Sequence, residues 1–238
     1  MTRREEAEAK RQEKLGRERE RVANMRRFEQ EAAQEILGQS RETDCSGESA
    51  FAKVLICGID EAGRGPLAGP VAAGACILPA DQEILWINDS KKLSEKRRSE
   101  LYDVITDKAL AWEVALVSPE RIDEINILQA TYEAMQKAVR ALSVQPDVLV
   151  VDAVRIPDLD IPQVSMIRAD AQCLSVAAAS ILAKVTRDRL MQEADRLYPE
   201  YGFAQHKGYG TSAHIEAIRK YGPCPIHRRT FLTHFLTE

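Results

Sequence analysis

Between residues 54 and 78 the apolar positions come in two dense runs, "VLICGID" and "PVAAGACIL", separated by the polar, glycine-rich "EAGRGPLAG". Such runs predict a buried strand, a sharp turn and a second strand. A third strand is read over 111–118. "DVLVVDAV", Asp147–Val154, is a continuous apolar run of the kind buried on both faces, and "QVSMIRAD", 163–170, follows as another strand. Helical spacing covers 93–108 and 119–142, and a long helix is expected from about Leu174 to Leu197. Two antiparallel-looking strands come first and helices separate the later ones. The fold class is therefore α/β, with a mixed sheet flanked by helices. The tail from His206 reads as a Gly-rich loop and one or two short helices.

Residues 1 to about 38 break this pattern. They are dense in Arg, Glu, Lys, Gln and Ala, which favour helix, and pairs such as Glu6 and Lys10 look like a solvated surface. A solvated helical extension is the expectation, with a nucleic-acid contact arm as the sharper alternative. "GQSRETDCSGESA", Gly38–Ala50, reads as a polar linker. The division is thus an extension and linker over 1–50 and one main domain over 51–238.

Composition narrows the picture. The 238 residues, 45% of them hydrophobic, can fill one substantial core. No stretch reaches the roughly 20 apolar residues needed to cross a bilayer, and the charged N-terminus does not resemble a signal peptide, so a cytoplasmic monomer with no membrane association is expected. Five cysteines without a C-x-x-C pair suggest neither a disulfide framework nor zinc. A net charge of -4 argues against coating nucleic acid through bulk charge, but Lys and Arg cluster near residues 91–98, 184–189 and 228–229.

The candidate chemistry lies in acids at strand ends: Asp60 and Glu61, Asp152, and Asp170. Neighbouring strand residues point to opposite faces, so Asp60 and Glu61 share a site only if the strand breaks between them. Taken singly, each is a plausible surface or capping residue. Converging, they would repel unless a cation compensated, and hard oxygen donors favour Mg²⁺ or Mn²⁺. Two such ions suit in-line displacement at phosphorus.

"GIDEAGRGPLAGPVAAGACIL", "DSKKLSEKRR", "EINILQATYEAM", "RADAQCLSVAAASILAKVTRDRLM", "HKGYGT" and "HRRTF" together resemble bacterial ribonuclease HII, the type 2 ribonuclease H, from about Val54 to Phe231. The resemblance implies a ribonuclease H-like fold: a central mixed five-stranded sheet with flanking helices and a helical C-terminal segment. It also implies that Asp60, Glu61, Asp152 and Asp170 are catalytic acids binding divalent metal. The activity implied is cleavage of RNA/DNA hybrids, and of duplex DNA on the 5′ side of an embedded ribonucleotide, leaving 3′-hydroxyl and 5′-phosphate ends. Gly63, Arg64 and Gly65 match the element whose main chain surrounds the ribonucleotide 2′-hydroxyl, and Tyr209 matches the tyrosine that contacts it. Ser90 and Lys91 match backbone contacts.

Other candidates come from the residues themselves. Asn126 reads equally as a phosphate contact or a local hydrogen-bonding group. Lys184 and Arg187 would reach substrate phosphates or pair with Asp188 and Glu193. His206 is expected to hydrogen-bond within its loop. The resemblance also implies a glycine before the fourth acid, where this chain has Ala169. Two other classes remain open: a binding module without turnover, and a metal-dependent phosphatase acting on small esters.

Overall fold

The computed structural model describes residues 2–38 and 54–233. Apart from Gly38, the expected linker lies outside them, as does Cys45. Five strands form one sheet: β1 (Ile56–Ala62), β2 (Val71–Ile77), β3 (Ala111–Val117), β4 (Val148–Asp152) and β5 (Gln163–Met166), in the order β3-β2-β1-β4-β5. β1 pairs antiparallel with β2 and parallel with β4, while β2–β3 is antiparallel and β4–β5 parallel. The expected mixed five-stranded sheet is the one found.

One face of the sheet, carrying Cys57, Ile59, Ile77 and Val151, packs on Ile122, Ala130, Ala134, Met135 and Ala138 of helix α3 (Pro119–Ala141). The other face is covered chiefly by α5 (Leu174–Leu197), supported by α2 (Glu95–Lys108). Small residues set that second layer's depth. A Cβ on Gly58 would lie 2.1 Å from the Ser175 carbonyl carbon, and one on Gly74 would lie 2.4 Å from the Ala179 oxygen. Glycine at these two positions, with Ala177–Ala179 fully buried, lets the α5 backbone lie directly on the central strands.

The first helix, α1 (Arg3–Leu37), starts with a capping box in which Thr2 and Glu5 satisfy each other's backbone amides. Most of it is solvated as expected, but one stripe corrects that reading. Glu18, Val22, Met25, Glu29 and Ala33 recur every three or four residues and are buried, with Val22 and Met25 in the same cluster as α2 and α5. The Glu29 carboxylate accepts from the Ser175 amide at 2.9 Å and its hydroxyl at 2.8 Å. Cys173, the residue before α5, makes no side-chain cap, so Glu29 supplies from α1 the acceptor that this helix start lacks.

The C-terminal segment closes over the β1–β2 turn. Short α4 (Ala169–Gln172) precedes α5, and α6 (Phe203–His206), α7 (Ser212–Tyr221) and a 3-10 turn (Arg229–Phe231) follow it. Leu67, Met191, Phe203, Ile218 and Leu232 form a third cluster there. Ala68 bridges to His227, and the Arg228 amide donates to the Leu67 carbonyl at 2.9 Å.

Candidate active site

The sheet brings the first and third acids together. β1 and β4 pair in parallel as far as Ile59 and Val151, so Asp60 and Asp152 are the next residues on neighbouring strands, about 5 Å apart in backbone spacing. The expected strand break between Asp60 and Glu61 does not occur. β1 stays paired with β2 through Glu61–Ala73 and Ala62–Ala72, and it is the β4 ladder that ends. Glu61 nevertheless feels the Asp152 charge, and its amide donates to the Asp60 carboxylate at 2.8 Å.

Asp170 also departs from expectation, since it does not end a strand. β5 stops at Met166, Arg168 turns the chain through a left-handed conformation (φ 61°), and Asp170 sits in the first turn of α4. The buried Ala169 amide donates to Asp152 at 2.8 Å, tying the third acid to the helix that carries the fourth.

The electrostatics of this group are those of unbalanced negative charge. Burial, and next the Glu61 charge, push the Asp60 carboxyl well above its ordinary range. Burial also raises Glu61, against the pull of Arg64, whose guanidinium lies 3.5 Å away. Asp170 is raised to about 6 by burial and by the charges of Asp89 and Asp152. Burial disfavours the Lys91 ammonium, but Asp60, Asp89, Asp170 and Asp152 together outweigh it and hold the group above its usual value. Lys91 is thus a cation set amid the acids, as Arg64 is beside Glu61.

Ser90 is buried, and its hydroxyl lies 2.9 Å from that of Ser180 on α5. Ser180 also hydrogen-bonds the Asp60 carboxyl and lowers it, so Ser90 is linked to the first acid through Ser180. Sequence reading missed both Ser180 and Asp89. Their signals were slight: a lone hydroxyl in the apolar "AAASILA" and an acid beside "SKK".

Among the described residues, no three carboxylate, imidazole or thiol groups form a ready cage for an ion. The donor chemistry fits a divalent cation even so. The acids are hard oxygen donors, Asp60 and Asp170 buried and Glu61 and Asp152 partly so, whose mutual repulsion an ion between them would relieve.

Beside the acids stands the turn formed by Gly63, Arg64 and Gly65. Arg64 and Gly65 are exposed and Gly63 is buried at φ 92°. A Cβ on Gly63 would fall 2.0 Å from Nε of Arg187, so a side chain is excluded by contact as well as by backbone conformation. A Cβ on Gly65 would lie 3.9 Å from Cε1 of Tyr209, which places the half-exposed tyrosine ring against the turn.

Arg187 is not a phosphate contact. It is fully buried, and it donates to the carbonyls of Pro70, Ala68 and Lys207 at 2.9–3.0 Å, bracing the turn and the Tyr209 loop together. Neither expected partner, Asp188 nor Glu193, takes its hydrogen bonds. Asp188 receives Lys184 at 2.8 Å, as one reading expected, and the Lys184 ammonium also lies 6.0 Å from the Tyr209 ring centre. Arg228, equally buried, donates to carbonyls of Gly63, Arg64 and Gly69. Burial and the nearby Arg187 charge lower it to about 9. Asn126 takes its local role: at φ 69° it interrupts α3, and its side chain caps the Leu128 and Gln129 amides.

Behind Tyr209 lies a chain of imidazoles. His206 bonds within its loop, as expected, reaching the Tyr201 carbonyl at 2.7 Å and accepting from the Gly208 amide. His214 Nδ1 lies 2.9 Å from the Tyr209 carbonyl, which can only accept, so that nitrogen carries the proton. Neutral His214 then accepts at Nε2 from His227 Nε2, 3.0 Å away, and His227 Nδ1 accepts from the Cys224 amide. Burial lowers both His214 and His227 to about 4, which keeps this order intact at neutral pH.

Comparison with known proteins places the chain in one family. The profile of the family described as Ribonuclease HII matches residues 57–234. The chain is 58% identical over 182 residues to Ribonuclease HII of Acetivibrio thermocellus, covering 76% of this chain and 71% of that protein. With Ribonuclease HII of Ruminiclostridium cellulolyticum the identity is 49% over 216 residues, 91% of this chain and 83% of the other, a span that reaches into α1. Among solved structures, ribonuclease H2 from Pyrococcus horikoshii superposes with a TM-score of 0.61 at 31% identity, covering 74% of this chain and 92% of that one.

Proposed function

The chain belongs to the ribonuclease HII family and is a nuclease of the ribonuclease H class, and on that premise we propose that it also cuts duplex DNA on the 5′ side of single embedded ribonucleotides, leaving 3′-hydroxyl and 5′-phosphate ends. The observation that carries the reading is the adjacency of two features: buried, mutually repelling acids around Asp60 and Asp152, and the Gly63–Gly65 turn with Tyr209 against it. A phosphatase for small esters would need only the first.

Asp60, Glu61, Asp152 and Asp170 would hold divalent metal, Mg²⁺ or Mn²⁺. Two such ions would supply the Lewis acidity that activates water and balances the leaving oxygen. Lys91 offsets part of the acids' charge and, with the 3-10 turn Ser90–Lys92, faces the substrate backbone. The exposed amides of the glycine turn test for the 2′-hydroxyl, the group that separates RNA from DNA at one position. Tyr209 packs on the sugar that follows, and Lys184 beside it favours phosphate. The reading extends to a monomer of the cytoplasm; the four described cysteines are unpaired thiols, in keeping with a reducing compartment.

The test is to incubate the protein with Mg²⁺ or Mn²⁺ and a duplex carrying one ribonucleotide, then map the ends. We expect one nick on the 5′ side of the ribonucleotide, bearing a 3′-hydroxyl and a 5′-phosphate. Cleavage on the 3′ side, or binding without cleavage, would refute the proposal.

A further inference from the structure

Arg228 is fully buried, and its guanidinium is spent on one short stretch of main chain. Nη2 donates to the Gly63 carbonyl at 2.6 Å, Nη1 to the Arg64 carbonyl at 2.8 Å, and Nε and Nη2 to the Gly69 carbonyl at 3.0 and 2.9 Å. A planar trans peptide sets its C=O and the following N–H in opposite directions. No described peptide bond is cis. Drawing the Gly63 and Arg64 carbonyls inward therefore turns the N–H groups of Arg64 and Gly65 outward. Neither amide has a backbone partner among the described residues, and both residues are exposed beside the Tyr209 ring.

We propose that Arg228 is the positioning residue that presents the Arg64 and Gly65 amides to the substrate, and so sets how sharply the site separates a ribonucleotide from a deoxyribonucleotide. This rests on the reading above that the glycine turn senses the 2′-hydroxyl. The planar fork matters as much as the charge, because two successive carbonyls must be held at a fixed separation. A lysine keeps the charge and loses the fork.

The experiment compares two duplexes that differ in a single ribonucleotide, titrated by fluorescence anisotropy into metal-free protein in EDTA, where no strand is cut. Wild type should bind the ribonucleotide duplex more tightly. In Arg228→Lys that preference should fall about tenfold, roughly the factor of one well-made hydrogen bond, with affinity for the all-DNA duplex unchanged. Circular dichroism and thermal melting establish that the variant is folded. Equal weakening on both duplexes would mean general loosening and would overturn the proposal, as would a folded variant with full preference. Absence of any preference in wild type would instead sink the reading of the glycine turn itself. Should Arg228→Lys not fold, Arg228→Gln takes its place in the same titration, since its amide can still donate to one of the two carbonyls. A folded variant with full preference, or one weakened equally on both duplexes, would overturn the proposal.

Discussion

The acids at the end of β1 and the imidazole and guanidinium layer behind Tyr209 are neighbours, both buried and both polar, yet they are built on opposite plans. Asp60 is raised by burial and by the charges of Glu61 and Asp152, and Asp170 by burial and by those of Asp89 and Asp152, so the acid group is short of positive partners. Burial shifts His214, His227 and Arg228 as well, but each is matched to hydrogen-bond acceptors or donors at 2.6–3.0 Å. The difference teaches where function sits. A frustrated group is held in place by the fold and awaits a ligand, whereas a satisfied group is part of what holds the fold.

Neutralising a member of each group should therefore have opposite consequences. The largest effect is expected for Asp60→Asn, with cleavage falling on the order of 10³-fold or more, because a metal ligand is lost. Its metal-free melting temperature should stay level or rise as repulsion is relieved, and added Mg²⁺ or Mn²⁺ should stabilise it less than wild type. Near-normal turnover in that variant would erase the distinction between the two regions.

His214→Gln should do the reverse, costing about 1–3 kcal/mol of stability at pH 7 through a broken buried network. It also carries a pH signature. His214 titrates near 4 when folded and near the ordinary histidine value of 6.5 when unfolded, so the unfolded chain binds more protons between those values. That contribution is present above about 6.5 and is lost as pH falls toward 4. Raised carboxyls such as Asp170 act in the opposite sense over part of the same window, so the useful quantity is the difference between wild type and variant. Melting curves from pH 7 to 4 should show a shallower acid-side loss in His214→Gln. A parallel decline would mean that His214 is not held neutral by the fold.

The smallest effect sharpens the comparison by supplying a buried carboxylate that is satisfied. Burial raises Glu29, but Ser175 donates to it twice. Glu29→Gln should cost about 1 kcal/mol, the worth of a helix cap, and leave cleavage per folded molecule unchanged. Lost cleavage without lost stability would show that α1 contributes to the chemistry.

By itself the sequence determined the order of strands and helices and the placement of Asp60 and Asp152 near strand ends. The α5 boundaries, 174–197, agree with expectation to the residue. These features follow from periodicity within short windows, where apolar spacing reports the face to be buried. Asp170 was legible as an acid but not as a helix residue, because Arg168 in a left-handed turn leaves no mark in hydrophobic pattern. Only the tertiary structure decided that Arg187 and Arg228 are interior braces, that α1 buries a stripe through Glu29, and that Asp89 and Ser180 join the acids. A charged side chain is exposed by default, and its neighbours in sequence do not reveal the exceptions. Whether it enters the interior depends on partners supplied from far along the chain, here carbonyls near residues 63–70 for Arg228 and an amide at 175 for Glu29.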